Sequence, residues 1–184
     1  MKKSVLAMSA LSLALVSGVA TANVNDANLQ ANNVRFLGAV TATTCNLVPH
    51  VNGSVTNVVH VGTVTAGGTG DAAEFSLKPD GKNDCSSVVD TADSTNNKTA
   101  HIAFMGALTD QGLSNQSGTA TDANLEIVAT NSTQSTTPIT QGDDVRQVKG
   151  ADLMKDGATF TATLQGGTAV GDFQSAIAYQ VSYQ

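Results

Sequence analysis

Hydrophobic residues along this chain recur in short alternating runs, apolar then polar, and almost nowhere at the spacing of an amphipathic helix. Such runs, bounded by Gly, Asn and Asp, mark half-buried strands. The pattern predicts strands at 34–45, 55–64, 72–78, 100–106, 123–130, 158–165 and 173–183. Between them lie Asn52-Gly53, Gly67-Gly68, Asp80-Gly81, Gln141-Gly142 and Gly166-Gly167, pairs whose backbones accept the dihedrals of tight turns. Two polar stretches, 88–99 and 130–144, read as loops. The first has room for a helical turn after Cys85, and Pro138 interrupts any strand in the second. Short strands with turns between them, and neither repeat nor linker, predict one all-β domain, a sandwich of immunoglobulin-like type.

The two ends of the pattern carry the most information. Near the C-terminus Phe173, Ile177, Tyr179, Val181 and Tyr183 give a strand with one strongly apolar face, opened by Gly171. Near the N-terminus Ala27, Leu29 and Ala31 alternate with Asn28, Gln30 and Asn32 ahead of the first clear strand. This segment, 23–33, is extended in pattern, weakly apolar and without an evident partner. A sandwich that ends on a strand with an open edge presents a row of unpaired backbone donors and acceptors, and a strand lent by another chain would close it.

Before that segment, Lys2 and Lys3, an apolar run over 5–16 and the triplet Ala20-Thr21-Ala22 have the form of a secretory signal peptide over 1–22. Export is the expectation, with the folded domain at 34–184. Removing Lys2 and Lys3 with the signal takes the formal charge from −6 to −8, which argues against binding a phosphate backbone, so no nucleic-acid partner is expected. Charged residues make up 13% of the chain, a composition suited to packing against copies of itself. Cys45 and Cys85 are the two cysteines, and in an exported chain an even count reads as a disulfide. Closing that loop stabilises the fold by roughly 3–4 kcal/mol in the chain-entropy model. Two free thiols or a metal pair are the alternatives, and His50 and His60 lack the partner spacing a metal needs.

Phe36-Leu37-Gly38-Ala39-Val40 followed by Thr43-Thr44-Cys45, a second cysteine forty residues later, Gly171 fourteenth from the end and the penultimate Tyr183 together resemble the major subunits of chaperone–usher fimbriae, the type-1-like pilins. The stretches VNG, GTG, FSLKP and NDC are similar to the major subunits of thin fimbriae from enterotoxigenic enteric bacteria. The resemblance implies an incomplete immunoglobulin-like fold lacking its last strand. Its groove would be filled first by a periplasmic chaperone, then by the N-terminal extension of the next identical subunit, delivered through an outer-membrane usher. On that pattern Ala27, Leu29 and Ala31 are the donor residues, and Gly171, Ile177, Tyr179, Val181 and Tyr183 form the subunit and chaperone interface. The implied place is a fimbrium on the cell surface, reached through the periplasm and used for adhesion to host cells.

Other chemistry is weak. His101 stands near no nucleophile motif, and Asp80-Gly81-Lys82-Asn83-Asp84 fails the EF-hand pattern, so neither enzyme, metal nor cofactor is expected. Asn52-Gly53-Ser54, Asn97-Lys98-Thr99 and Asn131-Ser132-Thr133 fit a glycosylation pattern but read as polar loops. Tyr179 and Tyr183 suit stacking on sugar, though their alternation favours burial. Arg146, Lys149 and Lys155 are clustered cations that suit an acidic glycan, with solvated loop charges as the plainer reading. A structural subunit that polymerises by donor-strand exchange accounts for the most features. The alternative is a subunit that itself binds a host glycan, with a tip adhesin as a further partner.

Overall fold

The computed structural model describes residues 45–82, 85–86, 88–89, 97–134 and 136–184. The expected signal segment 1–22, the expected donor segment 23–33 with Ala27, Leu29 and Ala31, and the expected first strand as far as residue 44 lie outside them. The described chain runs β1 (Leu47–Val51), β2 (Ser54–Val55), β3 (Thr69–Pro79), β4 (Thr99–Gly106), β5 (Leu108–Thr109), β6 (Gly112–Ser114), β7 (Asn124–Ala129), β8 (Val145–Lys149), α1 (Gly150–Lys155), β9 (Ala158–Gln165) and β10 (Ile177–Tyr183). It is an immunoglobulin-like all-β fold of two antiparallel sheets. One has the order β2-β1-β3-β9-β7-β6-β5 and the other β10-β4-β8.

Alternation is what builds the sheets. Along β9 Ala158, Phe160, Ala162 and Leu164 are buried while the threonines between them face outward. On β7 Leu125, Ile127 and Ala129 do the same, and on β4 Ala100, Ile102 and Phe104. Phe160 joins the layers: its ring stacks on Phe75 of β3 with centroids 5.1 Å apart and meets Phe104 of β4 edge-on at 5.4 Å. Cys45, just before β1, is bonded to Cys85, just after β3, so the disulfide ties together the ends of two neighbouring strands.

Turn chemistry sits where the sequence places it. Asn52 and Gly53 have φ of 50° and 79°, the left-handed pair that a two-residue hairpin between β1 and β2 needs. After Cys85, the amide of Val88 donates to the Cys85 carbonyl at 3.0 Å, closing a turn.

Four features differ from the sequence reading. No strand occupies 56–68: Val55, Val58, Val61 and Val64 are spaced by three, not two, and Gly62 at φ 74° breaks an extended run. The strands β1 and β8, the hairpin β5–β6 and the short helix α1 occupy stretches to which no element was assigned. The C-terminal strand begins at Ile177 rather than 173. Finally, Arg146 is not a solvated loop charge. It lies in the middle of β8, opposite Ile102 of β4, and its side chain is 0% exposed.

That arginine holds a loop to the core. Its guanidinium donates to the carbonyls of Thr137, Pro138, Asp143 and Val145 and to the Asp143 carboxylate at 2.8 Å. A hydrogen bond from the Thr137 hydroxyl, and beyond it the Arg146 charge, holds the Asp143 carboxyl below the usual carboxylate range. Replacing Arg146 by Ala leaves buried carbonyls without donors as well as a cavity, and should cost about 3–5 kcal/mol by urea unfolding. Arg146→Met refills most of the volume and should cost less.

Candidate functional site

The sequence-predicted interface residues converge on β10 and the connector leading into it. Ile177, Tyr179, Val181 and Tyr183 lie opposite Gly106, Phe104, Ile102 and Ala100 of β4, so they continue the core-facing side of the small sheet. Their burial differs sharply from their neighbours'. Ile102 and Phe104 are 0% and 2% exposed, whereas the four β10 residues are only partly buried although packed against the same core. The cause is position. β10 is the end strand of its sheet, and among the described residues no strand lies along its other side. Among the described residues the layer stops at β10, and none of them pairs with the N–H and C=O groups on its outer side.

Across this opening the tyrosine hydroxyls reach the other sheet. Tyr179 donates to the Leu47 carbonyl at 2.8 Å and Tyr183 to the Cys45 carbonyl at 2.7 Å. Both acceptors belong to the chain at and just before β1, beside the disulfide. Gln184 and Thr99 exchange two backbone hydrogen bonds, extending the β10–β4 pairing to the last residue. A second stretch also lacks partners: residues 57–64 make no backbone–backbone hydrogen bond among the described residues, although Val61 and Val64 pack on the core.

Gly171 lies six residues ahead of β10, in the connector from β9 rather than at the strand's first position. Its φ of 150° and its close approach to Thr119 explain its type: a Cβ there would collide with the Thr119 hydroxyl and come within 3.0 Å of the Ala120 amide. Sequence reasoning missed the side chains that hold this connector. Asp122 accepts hydrogen bonds from the amide and hydroxyl of Thr168 and from the amide of Ala169. Those bonds, the Thr168 hydroxyl first, lower its pKa from 3.8 to about 2. Asn115 bonds Asp172 and Gln174. Both residues stand in turn-rich polar sequence, where nothing marks a side chain that reaches a distant loop.

His101 lies on β4, and no group of three or more His, Cys, Asp or Glu among the described residues could hold a metal ion. The cation cluster is not brought together as a site, since Arg146 is buried while Lys149 ends β8 and Lys155 lies in α1 beside Asp156.

Fold and edge together define an immunoglobulin-like domain in which no described strand lies along the outer side of β10. Comparison with known proteins gives the family. Over 182 residues the chain is 35% identical to the F107 fimbrial protein of Escherichia coli, covering 99% of each chain. Over 86 residues it is 36% identical to the K99 fimbrial protein of Escherichia coli, 46% of this chain and 44% of that one. The crystal structure of the P pilus rod subunit PapA superposes with a TM-score of 0.48 and 16% identity, over 83% of this chain and 99% of that one. No protein-family model matches. The chain belongs to the fimbrial proteins: it is a structural pilus subunit, not an enzyme, and it polymerises with other subunits into a surface fimbrium.

Burial pushes the Tyr179 hydroxyl up, and burial with the neighbouring Tyr179 pushes Tyr183 from 10.0 up to about 12. The folded state thus favours the neutral phenol. This contribution to stability is complete below pH 10.0 and is lost as pH climbs through about 12. Tyr183→Phe should lower stability at neutral pH by about 0.5–1.5 kcal/mol, the worth of one hydrogen bond, and flatten the alkaline limb of the unfolding curve. Chemical unfolding across alkaline pH measures both. Gly171→Val should reduce the yield of folded subunit, because valine is strained at that φ and meets Thr119.

Proposed function

We propose that this subunit polymerises by donor-strand exchange: residues 23–33 of one copy pair with the open side of β10 in the next. The observation that carries the reading is the contrast within one sheet face, fully buried on β4 and only partly buried on β10, beside a strand edge that no described strand pairs. A donated strand supplies what that edge lacks. Its backbone would pair with β10, and Ala27, Leu29 and Ala31, alternating at the strand period, would lie over the exposed flank of the core. Burying Leu29 contributes about 1.5–3 kcal/mol and the alanines much less, so backbone pairing carries a large share. Residues 57–64, with Val61 and Val64 against the core and no backbone–backbone hydrogen bond to a described residue, fit as the opposite wall.

On this reading the chain is exported with residues 1–22 as signal and the folded domain at 34–184. A periplasmic chaperone holds the edge of β10 until an outer-membrane usher passes the subunit to its neighbour. Gly171 keeps the approach to β10 in place, while Ile177, Tyr179, Val181 and Tyr183 form the floor that chaperone and donor both cover. The fibres serve adhesion to host cells, through a tip adhesin or a host glycan bound along the fibre.

The test is deletion and transplantation. A chain lacking residues 23–33 should be exported and captured by the chaperone yet yield no long fibres by electron microscopy. The same segment appended after Gln184 through a short flexible linker should fill its own groove and give a stable monomer. Fibres of normal length from the deleted chain would sink the proposal.

A further inference from the structure

The connector between β9 and β10, residues 166–176, has no regular structure and three glycines, yet it is stitched along its length to the segment 114–122. Asp122 holds Thr168 and Ala169. The Asp172 amide donates to the Thr119 hydroxyl at 3.2 Å, and the Asp172 carbonyl accepts from the Ala120 backbone amide and from Asn115 Nδ2, both at 3.1 Å. Gln174 donates its amide to Asn115 Oδ1 at 3.0 Å and accepts the amides of Gln116 and Ser117 on its carbonyl. The Ser175 hydroxyl donates to the Ser114 carbonyl at 2.7 Å, and Gln116 Nε2 to the Ala176 carbonyl at 2.9 Å. Ala176 is the last residue before β10.

Asn115 is central, because its amide group also bonds its own loop, accepting from the Gly118 amide and donating to the Ala120 carbonyl. Close backbone approach from both sides seals the fit: a Cβ on Gly118 would collide with the Asp172 carbonyl, as one on Gly171 would with Thr119. We infer that segment 114–122 is a latch, with Asn115 its positioning residue, that fixes where β10 begins so that the edge is in register before a partner strand arrives. The inference rests on the donor-strand reading. Register matters because a slip of one residue would turn Ala178, Gln180 and Ser182 toward the core, and a slip of two would draw Tyr179 and Tyr183 away from the Leu47 and Cys45 carbonyls.

The experiment compares the open subunit with the self-filled subunit that carries residues 23–33 after Gln184. In the open form, Asn115→Ala should slow uptake of a synthetic peptide of residues 23–33 by about tenfold, the equivalent of one or two lost hydrogen bonds. It should also speed hydrogen exchange at β10 amides. The self-filled form should melt close to its parent, since its own donor strand already fixes β10. Gln116→Ala, which removes only the bond to Ala176, gives a milder version should Asn115→Ala fail to fold, and Gln111→Ala in the exposed β5–β6 turn is the control. Unchanged uptake and β10 exchange would overturn the latch, as would equal destabilisation of both forms, which marks general stability instead. If the parent subunit takes up no peptide, the donor-strand reading fails, and β10 exchange in the open chain still decides the latch.

Discussion

A strand that buries one face but leaves half of its backbone groups without partners imposes a constraint on everything around it. In β10 the inward residues are bound to the core, and no described residue pairs with the other edge of the backbone. The apolar flank beneath that edge is only partly buried, whereas the residues opposite it on β4 are buried. Open edges of this kind are normally blunted by charge, proline or a bulge. β10 has none of these: its outward positions are Ala178, Gln180 and Ser182, neutral and small or flexible. An edge left attractive, in a chain that belongs to the fimbrial proteins, is what the proposed strand pairing would use.

The architecture was legible wherever alternation alone decided it. β9 spans the residues its pattern marks, Ala158 to Gln165, because every second position there is an apolar side chain bound for the core. Boundaries of β4 and β7 lie within a residue of expectation for the same reason. The valines of 55–64 misled, since they are as apolar as a strand requires but are spaced by three and carry a glycine at positive φ. β8 was hidden by its own chemistry. An arginine at the centre of Val145–Lys149 reads as solvent-facing, and only the loop carbonyls of Thr137 and Pro138, brought over it by the fold, make its burial possible.

At the candidate site the four β10 residues could be read from sequence because they follow the strand period. The side chains that hold the connector could not. Asn115, Thr119 and Asp122 act on residues more than forty positions away, and their polar types are those of any surface turn. Gly171 shows the same limit from another side: its presence was visible, but its reason, the Thr119 hydroxyl occupying the space a Cβ would need, belongs to tertiary packing.

An edge with no described strand along it raises a mechanical difficulty, because two sheets tend to close over partly exposed apolar surface between them. The tyrosines of β10 oppose this. A leucine or phenylalanine at 179 or 183 would pack as well but would have no polar tip. The hydroxyls instead reach the carbonyls of Leu47 and Cys45, on a segment that the disulfide fastens to the end of β3. Two hydrogen bonds therefore brace the sheets against each other beside the open strand, one end of the brace fixed covalently and the other in the β10–β4 ladder. With the connector pinned ahead of Ile177 and the brace set behind it, β10 is held in place from both ends without needing a strand along its outer side. That is the property the proposed pairing requires, since a flexible terminal strand would have to be ordered by its partner.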